Sequence, residues 1–237
     1  MSLLAGIRAV VFDAVGTVIL PNPGAASVYA DAARRHGIAV DAATLSARLW
    51  NQFRVEDEID RSAGWVTSEG REYSRWHHIV EAAIPGADED LFEELFRHFA
   101  EPSAWTVIDG VAETLLELAT RGLILALASN YDRRLQSVIA GLPALAPLRQ
   151  RVVISSVVGH RKPAVEFYRD GVLPAVGCKA GEVLFVGDDV ENDCLGARAA
   201  GMRAVLFDLA DRHPGVENRI RSFAELLGGT SQQRDPQ

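Results

Sequence analysis

Five short runs along the chain are β-branched or aliphatic and apolar on both faces: residues 7–12 (IRAVVF), 123–128 (LILALA), 152–155 (VVIS), 183–186 (VLFV) and 204–207 (AVLF). A run that is apolar on both faces cannot lie in a sheet with one wet side. It suits a strand buried inside a parallel sheet. Helical patterns separate the later runs. Val111, Leu115, Leu118 and Ala119 share one helical face over 111–120, with Asp109 as the expected N-cap and Gly122 as the stop. Pro163 suits the first turn of a helix over 164–169, and a helix over 191–200 ends at Gly201. Strands alternating with helices specify the α/β class, an open, doubly wound parallel sheet with helices on both faces.

One stretch breaks the alternation. Between Pro21 and Glu101 there is no buried-strand run, but four helical patterns over 25–36, 42–59, 68–83 and 89–100. The expected organisation is therefore a core made of residues 1–20 and 103–237, with residues 21–102 inserted as a smaller helical cap. The polar tail from Gly228 (GGTSQQRDPQ) reads as a frayed end.

Composition narrows the function. With 24 basic and 32 acidic residues the chain carries a net charge of −8. Nucleic-acid binding needs clustered Lys and Arg, so no nucleic-acid partner is expected. No run approaches the ~18 apolar residues of a membrane span. The first twenty residues are apolar but lack a basic leader and are interrupted by Arg8 and Asp13, so no signal peptide is expected. Two cysteines, Cys178 and Cys194, cannot make a disulfide scaffold and fit a reducing, cytoplasmic setting. A monomer or a homodimer fits equally well.

In open α/β sheets ligands bind beyond the carboxyl ends of the strands. Asp13-Ala14-Val15-Gly16-Thr17 follows the first run, Ser129 and Asn130 the second, and His160-Arg161-Lys162-Pro163 the third. Gly187-Asp188-Asp189-Val190-Glu191-Asn192-Asp193 follows the fourth. One sheet edge thus gathers several carboxylates, a hydroxyl and an ammonium. Two carboxylates ~4 Å apart repel by ~4 kcal/mol at an effective dielectric of 20. Three need a cation; Lys162 neutralises one, and Mg²⁺, a hard oxygen-seeking ion, suits the rest. A carboxylate held ionised in this way can act as a nucleophile, and Ser129 with nearby backbone N–H groups can hold a transferring phosphoryl group.

The set FDAVGT, LALASN, GHRKP and VGDDVEND resembles the four motifs of the haloacid dehalogenase superfamily, in its branch with a helical cap after the first motif. The resemblance covers the whole chain in order, spacing and cap placement, and implies a Rossmann-like core. It implies that Asp13 is the nucleophile, that Ser129 holds a phosphoryl oxygen, and that Lys162 steadies nucleophile and substrate. Asn130 joins Ser129 and Lys162 as a substrate-binding candidate. Asp188 corresponds to the metal ligand of the fourth motif and Asp193 to its later carboxylate, which supports metal-bound water. Asp189 stands where many relatives carry Ser and is read either as a further metal ligand or as a helix-capping residue. LASNYDRR also resembles a branch that carries SNFDRR after the second motif.

Val15 departs from the pattern. Phosphatases of the family read Asp-x-Asp, and the second Asp is the general acid and base. Valine can do neither, although its backbone carbonyl remains a candidate metal contact. The resemblance leaves three readings. The first is a Mg²⁺-dependent phosphatase of a small phosphate ester, working through an aspartyl phosphate but weakened at Val15. The second is a metal-independent 2-haloacid dehalogenase, and the third a ligand-binding protein that turns over little. Dehalogenases of the family lack the Gly-Asp-Asp cluster, and no cap arginine aligns clearly with their halide-binding arginine; Arg34, Arg48 and Arg54 are all available. A phosphonatase needs a cap lysine, and residues 21–101 contain none. The phosphatase is therefore the favoured expectation. His77 and His78 are adjacent on a helix and point about 100° apart, so surface or packing roles are expected rather than metal binding. Three of the four tryptophans, Trp50, Trp65 and Trp76, fall in the cap; packing there is expected, with contact of one of them to the ligand as the alternative, since the family resemblance implies that the cap selects substrates.

Overall fold

The computed structural model describes residues 2–228, so the tail beyond Gly228 lies outside the described residues. The strands are β1 (Ala9–Phe12), β2 (Ile19–Pro21), β3 (Trp105–Val107), β4 (Ile124–Ser129), β5 (Val152–Ile154), β6 (Val183–Gly187), β7 (Arg203–Phe207) and β8 (Arg219–Ile220). Six form one parallel sheet in the order β5-β4-β1-β6-β7-β8. All five apolar runs are strands of this sheet. Successive side chains of β1 feed two different cores: Val10 and Phe12 one, Ala9 and Val11 the other. That two-sided burial is why the runs carry no polar face. Burying a side chain such as Phe12 or Phe185 contributes roughly 1.5–3 kcal/mol.

Chain order reverses across β1 and β6, which lie side by side with Phe12 opposite Val186. A crevice opens beyond the strand ends at such a reversal. Asp13 and Asp188 each follow one of these two strands.

Four helices lie between β2 and β3: α1 (Ala25–Arg35), α2 (Ala42–Ser62), α3 (Glu69–Ala83) and α4 (Glu89–His98). Asp41, Ser68 and Asp88 cap α2, α3 and α4, each side chain accepting from a backbone N–H three residues on. Leu45, Ile79 and Leu91 from these helices join the same core as Phe12. The antiparallel pair β2–β3 clamps the two ends of the insertion, with Ile19 opposite Val107 and Pro21 opposite Trp105. The sequence did not announce this pair. Each strand has three residues, too few for a period, and Pro21 argues against a strand unless it sits at an edge. No described helix is long and apolar enough to cross a membrane.

Two local expectations are corrected. Asp109 does not cap α5 (Val111–Thr120); Gly110 holds the cap position at φ +81°, a left-handed conformation that glycine adopts without steric cost. Pro163 sits in a turn, and the helical stretch that follows covers 165–176. Helical residues 190–199 follow β6, and Cys194 is buried within them.

Candidate active site

Asp13, the first residue beyond β1, is buried, and its Oδ1 lies 2.6 Å from Lys162 Nζ. The same ammonium lies 2.6 Å from Asp193 Oδ1 and 3.4 Å from the Ala128 carbonyl. Asp188 joins them: one oxygen from each of Asp13, Asp188 and Asp193 lies within 4.8 Å of the others. These three carboxylates and Lys162 come from three separate segments of sequence, after β1, before Pro163 and after β6.

Glycines make the convergence possible. A Cβ on Gly16 would stand 2.4 Å from an Asp188 oxygen, and one on Gly187 would stand 2.2 Å from an Asp193 oxygen. Gly16 also has φ +95°, which a side chain would strain. Thr17 donates its hydroxyl to Asp188 Oδ1 at 3.2 Å. Asp193 Oδ2 accepts from the Asp189 backbone N–H at 3.0 Å. Asn130 exchanges two hydrogen bonds with the Lys162 backbone: its amide donates to the carbonyl at 3.0 Å and its Oδ1 accepts from the N–H at 2.7 Å. Asn130 thus positions the lysine and also borders the site. Ser129 is buried, lines the same recess, and spends its hydroxyl on no partner among the described residues. Asp189 lines the recess too, but its Oδ1 caps the helix by accepting from Asn192 N–H at 2.7 Å, and it stands outside the three-carboxylate group. The Val15 carbonyl accepts no hydrogen bond among the described residues.

The electrostatics follow from burial and crowding. Burial pushes the Asp13 carboxyl above its ordinary range; Lys162 opposes the shift and Asp188 adds to it. Burial, then the neighbouring Asp193, pushes Asp188 up to about 6. Asp193 is pushed up to about 7, again first by burial, against the pull of Lys162. Burial disfavours the Lys162 ammonium, but Asp13 and Asp193 outweigh it and hold the group above the ordinary lysine range. Three carboxylates against one ammonium leave the set short of positive charge, and their oxygens suit a hard divalent cation.

A family profile described as haloacid dehalogenase-like hydrolase matches residues 7–201. The chain belongs to this family. Human haloacid dehalogenase-like hydrolase domain-containing protein 3 is 29% identical over 208 residues, covering 84% of this chain and 81% of that protein. Ribulose-1,5-bisphosphate 5-phosphatase of Halopiger xanaduensis is 26% identical over 174 residues, with 71% of each chain covered. Among solved structures, 2-haloacid dehalogenase from Pseudomonas syringae is 26% identical with a TM-score of 0.59, covering 94% of this chain and 98% of that one.

Beside the carboxylate edge, this hydrolase has a cavity of about 400 Å³ between the helices and the sheet. Val15, Asn130 and Asn192 border both spaces, so the cavity opens onto the edge. A second set of charges, most of them buried, lies at and behind its helical wall. Arg75 binds Asp60 and Asp57 at 2.6 Å each. Arg71 binds Glu56 and Asp60 at 2.7 Å each. Arg161, next to Lys162, donates to Glu72 and lies 3.4 Å from Asp60. Sequence reading missed this set, as it missed Thr17, Gly16 and Gly187. Charged residues on amphipathic helices normally face water, and the only available hint was Arg161 inside a motif already assigned to Lys162. His77 and His78 face apart, His77 to Glu89 and His78 to Glu56, each at 3.1 Å.

Proposed function

We propose that this hydrolase is a Mg²⁺-dependent phosphatase of a small phosphate ester, using Asp13 as nucleophile. One observation carries the reading: a third, partly buried carboxylate, Asp188, faces the buried Asp13 and Asp193 although Lys162 neutralises only part of their charge. A carboxylate nucleophile that works without metal has no use for that extra acid. The phosphatase relative supports the same reading.

Asp13, Asp188 and the Val15 carbonyl would hold Mg²⁺, with Asp193 and Asp189 near them. The ion would offset the charge of the ester oxygens as the carboxylate approaches. Asp13 attacks phosphorus; the bond to the leaving oxygen breaks and an aspartyl phosphate remains. The Ser129 hydroxyl donates to a phosphoryl oxygen, and Lys162 holds Asp13 ionised and in position. Water then attacks phosphorus and releases Asp13. Val15 offers no proton to the leaving group and takes none from the water. Missing general acid–base help costs about 10² to 10⁴ in rate, so turnover is slow on esters with poor leaving groups. The free Cys178 and the buried Cys194 support a reducing, cytoplasmic setting.

The test is phosphate release from p-nitrophenyl phosphate with Mg²⁺. Activity is expected in the native protein and not in EDTA or in Asp13→Asn. Retained activity in Asp13→Asn removes the nucleophile assignment. Val15→Asp is expected to raise turnover on alkyl esters. Val15 itself and the 26% match to a 2-haloacid dehalogenase favour one second reading, metal-free dehalogenation by Asp13. Chloride release from 2-chloropropionate in EDTA would establish it.

A further inference from the structure

The cavity beside the carboxylate edge is walled by rings. Tyr29, Phe53, Trp76, Phe96, Phe99 and Trp105 all line it. Several pack edge to face: Phe53 against Trp76 at 5.7 Å and Phe99 against Trp105 at 5.8 Å between centroids. Trp50 stands at its border, 66% exposed, with its ring 6.4 Å from Phe53. The exposed ring and the cavity it borders make one continuous apolar surface, and such patches mark ligand-binding grooves.

The charges on the cavity wall are already matched. Arg75 is held by Asp57 and Asp60, and Arg161 by Glu72. Arg134 grips Asp132 at 2.6 Å, donates to the Phe96 carbonyl at 2.8 Å and lies 3.4 Å from the Phe96 ring centroid. No guanidinium on the wall lacks a carboxylate partner among the described residues. A second phosphate or a carboxylate on the substrate would enter an aromatic chamber without a free cation, which is costly; the buried Trp76 Nε1 and Arg161 Nε, which have no hydrogen-bond partner among the described residues, leave room for one or two neutral acceptors on the ring.

Val15 points to the same substrate class from the opposite direction. It borders both the cavity and the edge. A leaving group that departs here receives no proton from position 15, so it must be stable as an anion. A phenol has a pKa of about 10, as tyrosine does, far below that of an alkyl alcohol.

We infer that the substrates are aryl phosphate monoesters, with the uncharged ring in the aromatic cavity and the phosphate at Asp13. This rests on the phosphatase reading. An Asp13 oxygen forms a bond to phosphorus while the phosphorus–oxygen bond to the ring breaks, its electron pair leaving on the aryloxide. Water then adds to phosphorus, the bond to Asp13 breaks, and the water proton passes to solvent, giving phosphate and the phenol in its equilibrium form.

Two measurements on the full chain separate ring binding from chemistry. The first is phosphate release with Mg²⁺ from 2-naphthyl phosphate, acetyl phosphate and glycerol phosphate. Acetyl phosphate has a good leaving group and no ring. The expected KM for the naphthyl ester is at least tenfold lower than for acetyl phosphate, and its kcat/KM at least a hundredfold above that of glycerol phosphate. The second is calorimetric binding of 2-naphthol to the native protein, Trp50→Ala and Ala25→Trp. Ala25 lines the cavity and is only partly buried, so a larger ring there fills space with little demand on the core. Naphthol is expected to bind the native protein, about fivefold more weakly with Trp50→Ala and at least tenfold more weakly with Ala25→Trp, with unchanged circular dichroism in both. No naphthol binding, binding indifferent to both variants, or equal use of all three esters overturns the aryl assignment. Variant-sensitive naphthol binding with no ester hydrolysed upholds ring recognition and overturns the phosphatase reading instead.

Discussion

The molecule buries charge in two places a few residues apart and balances it in opposite ways. At the strand ends, Asp13, Asp188 and Asp193 share Lys162. On the helical wall, Glu56, Asp57, Asp60 and Glu72 meet Arg71, Arg75 and Arg161, with His78 at Glu56. The wall settles its own charges through forked guanidinium pairs, which suit a structural join. The edge leaves a deficit of positive charge. The two regions therefore differ less in how much charge they hold than in how it is balanced.

Removing Lys162 should break the contrast most strongly. Lys162→Met is expected to lose at least about 10³ in phosphatase rate, since Asp13 loses its orienting ammonium. In EDTA it should also lose about 3–5 kcal/mol of stability, because Asp13 and Asp193 are left buried and unpaired. Mg²⁺ should restore part of that loss in a thermal melt. Arg75→Met is the matching change on the wall. It should cost about 1–3 kcal/mol, since Asp60 keeps Arg71 and Asp57 is partly exposed, yet the gain in melting temperature on adding Mg²⁺ should stay as in the native protein. A Mg²⁺ rescue of Arg75→Met would erase the distinction.

Metal alone gives the next effect. At a hundredfold excess over its dissociation constant, Mg²⁺ should stabilise the native protein by about 2.7 kcal/mol, and Asp188→Asn should lose most of that increment. In EDTA, pH should act in a direction set by the raised carboxyls. Asp188 and Asp193 start near 3.8 and rise to about 6 and about 7 in the fold. The folded state therefore holds more protons than the unfolded one between about pH 4 and 7, and stability falls as pH rises through that window. Denaturant midpoints at pH 5 and pH 7.5 should show this fall, and Mg²⁺ should flatten it. The smallest effect belongs to Trp50→Ala, within about 0.5 kcal/mol of native stability because the side chain is mostly exposed.

The two regions also differed in how much the sequence disclosed. The edge was legible because its residues follow buried runs, and the ends of parallel strands converge on one side. Asp13, Ser129, Lys162 and Asp188 could be named that way. Asp193 was named through the family resemblance, as the later carboxylate of the fourth motif, and the helical residues after β6 bring it to Lys162. Asp189 was left between two roles, and its hydrogen bond to Asn192 serves the helix. The wall was illegible because its pairs join α2, α3 and the segment before Lys162, up to 101 residues apart (60 to 161), and no local period encodes such contacts. The cavity lay hidden for the same reason. Its rings were visible singly as packing residues, but only the helix arrangement turns them inward around a common space.

Arg161 and Lys162 are neighbours in the chain, yet one grips the helices and the other the carboxylates at the strand ends. A single peptide link therefore works as a lever between the two halves of the molecule. Any tilt of the helices that drags Arg161 would swing the ammonium at Asp13, were it not for Asn130, which clasps the Lys162 backbone from both sides. That clasp acts as a fulcrum on the sheet side, fixing the aim of the ammonium from the end of β4 rather than from the helices.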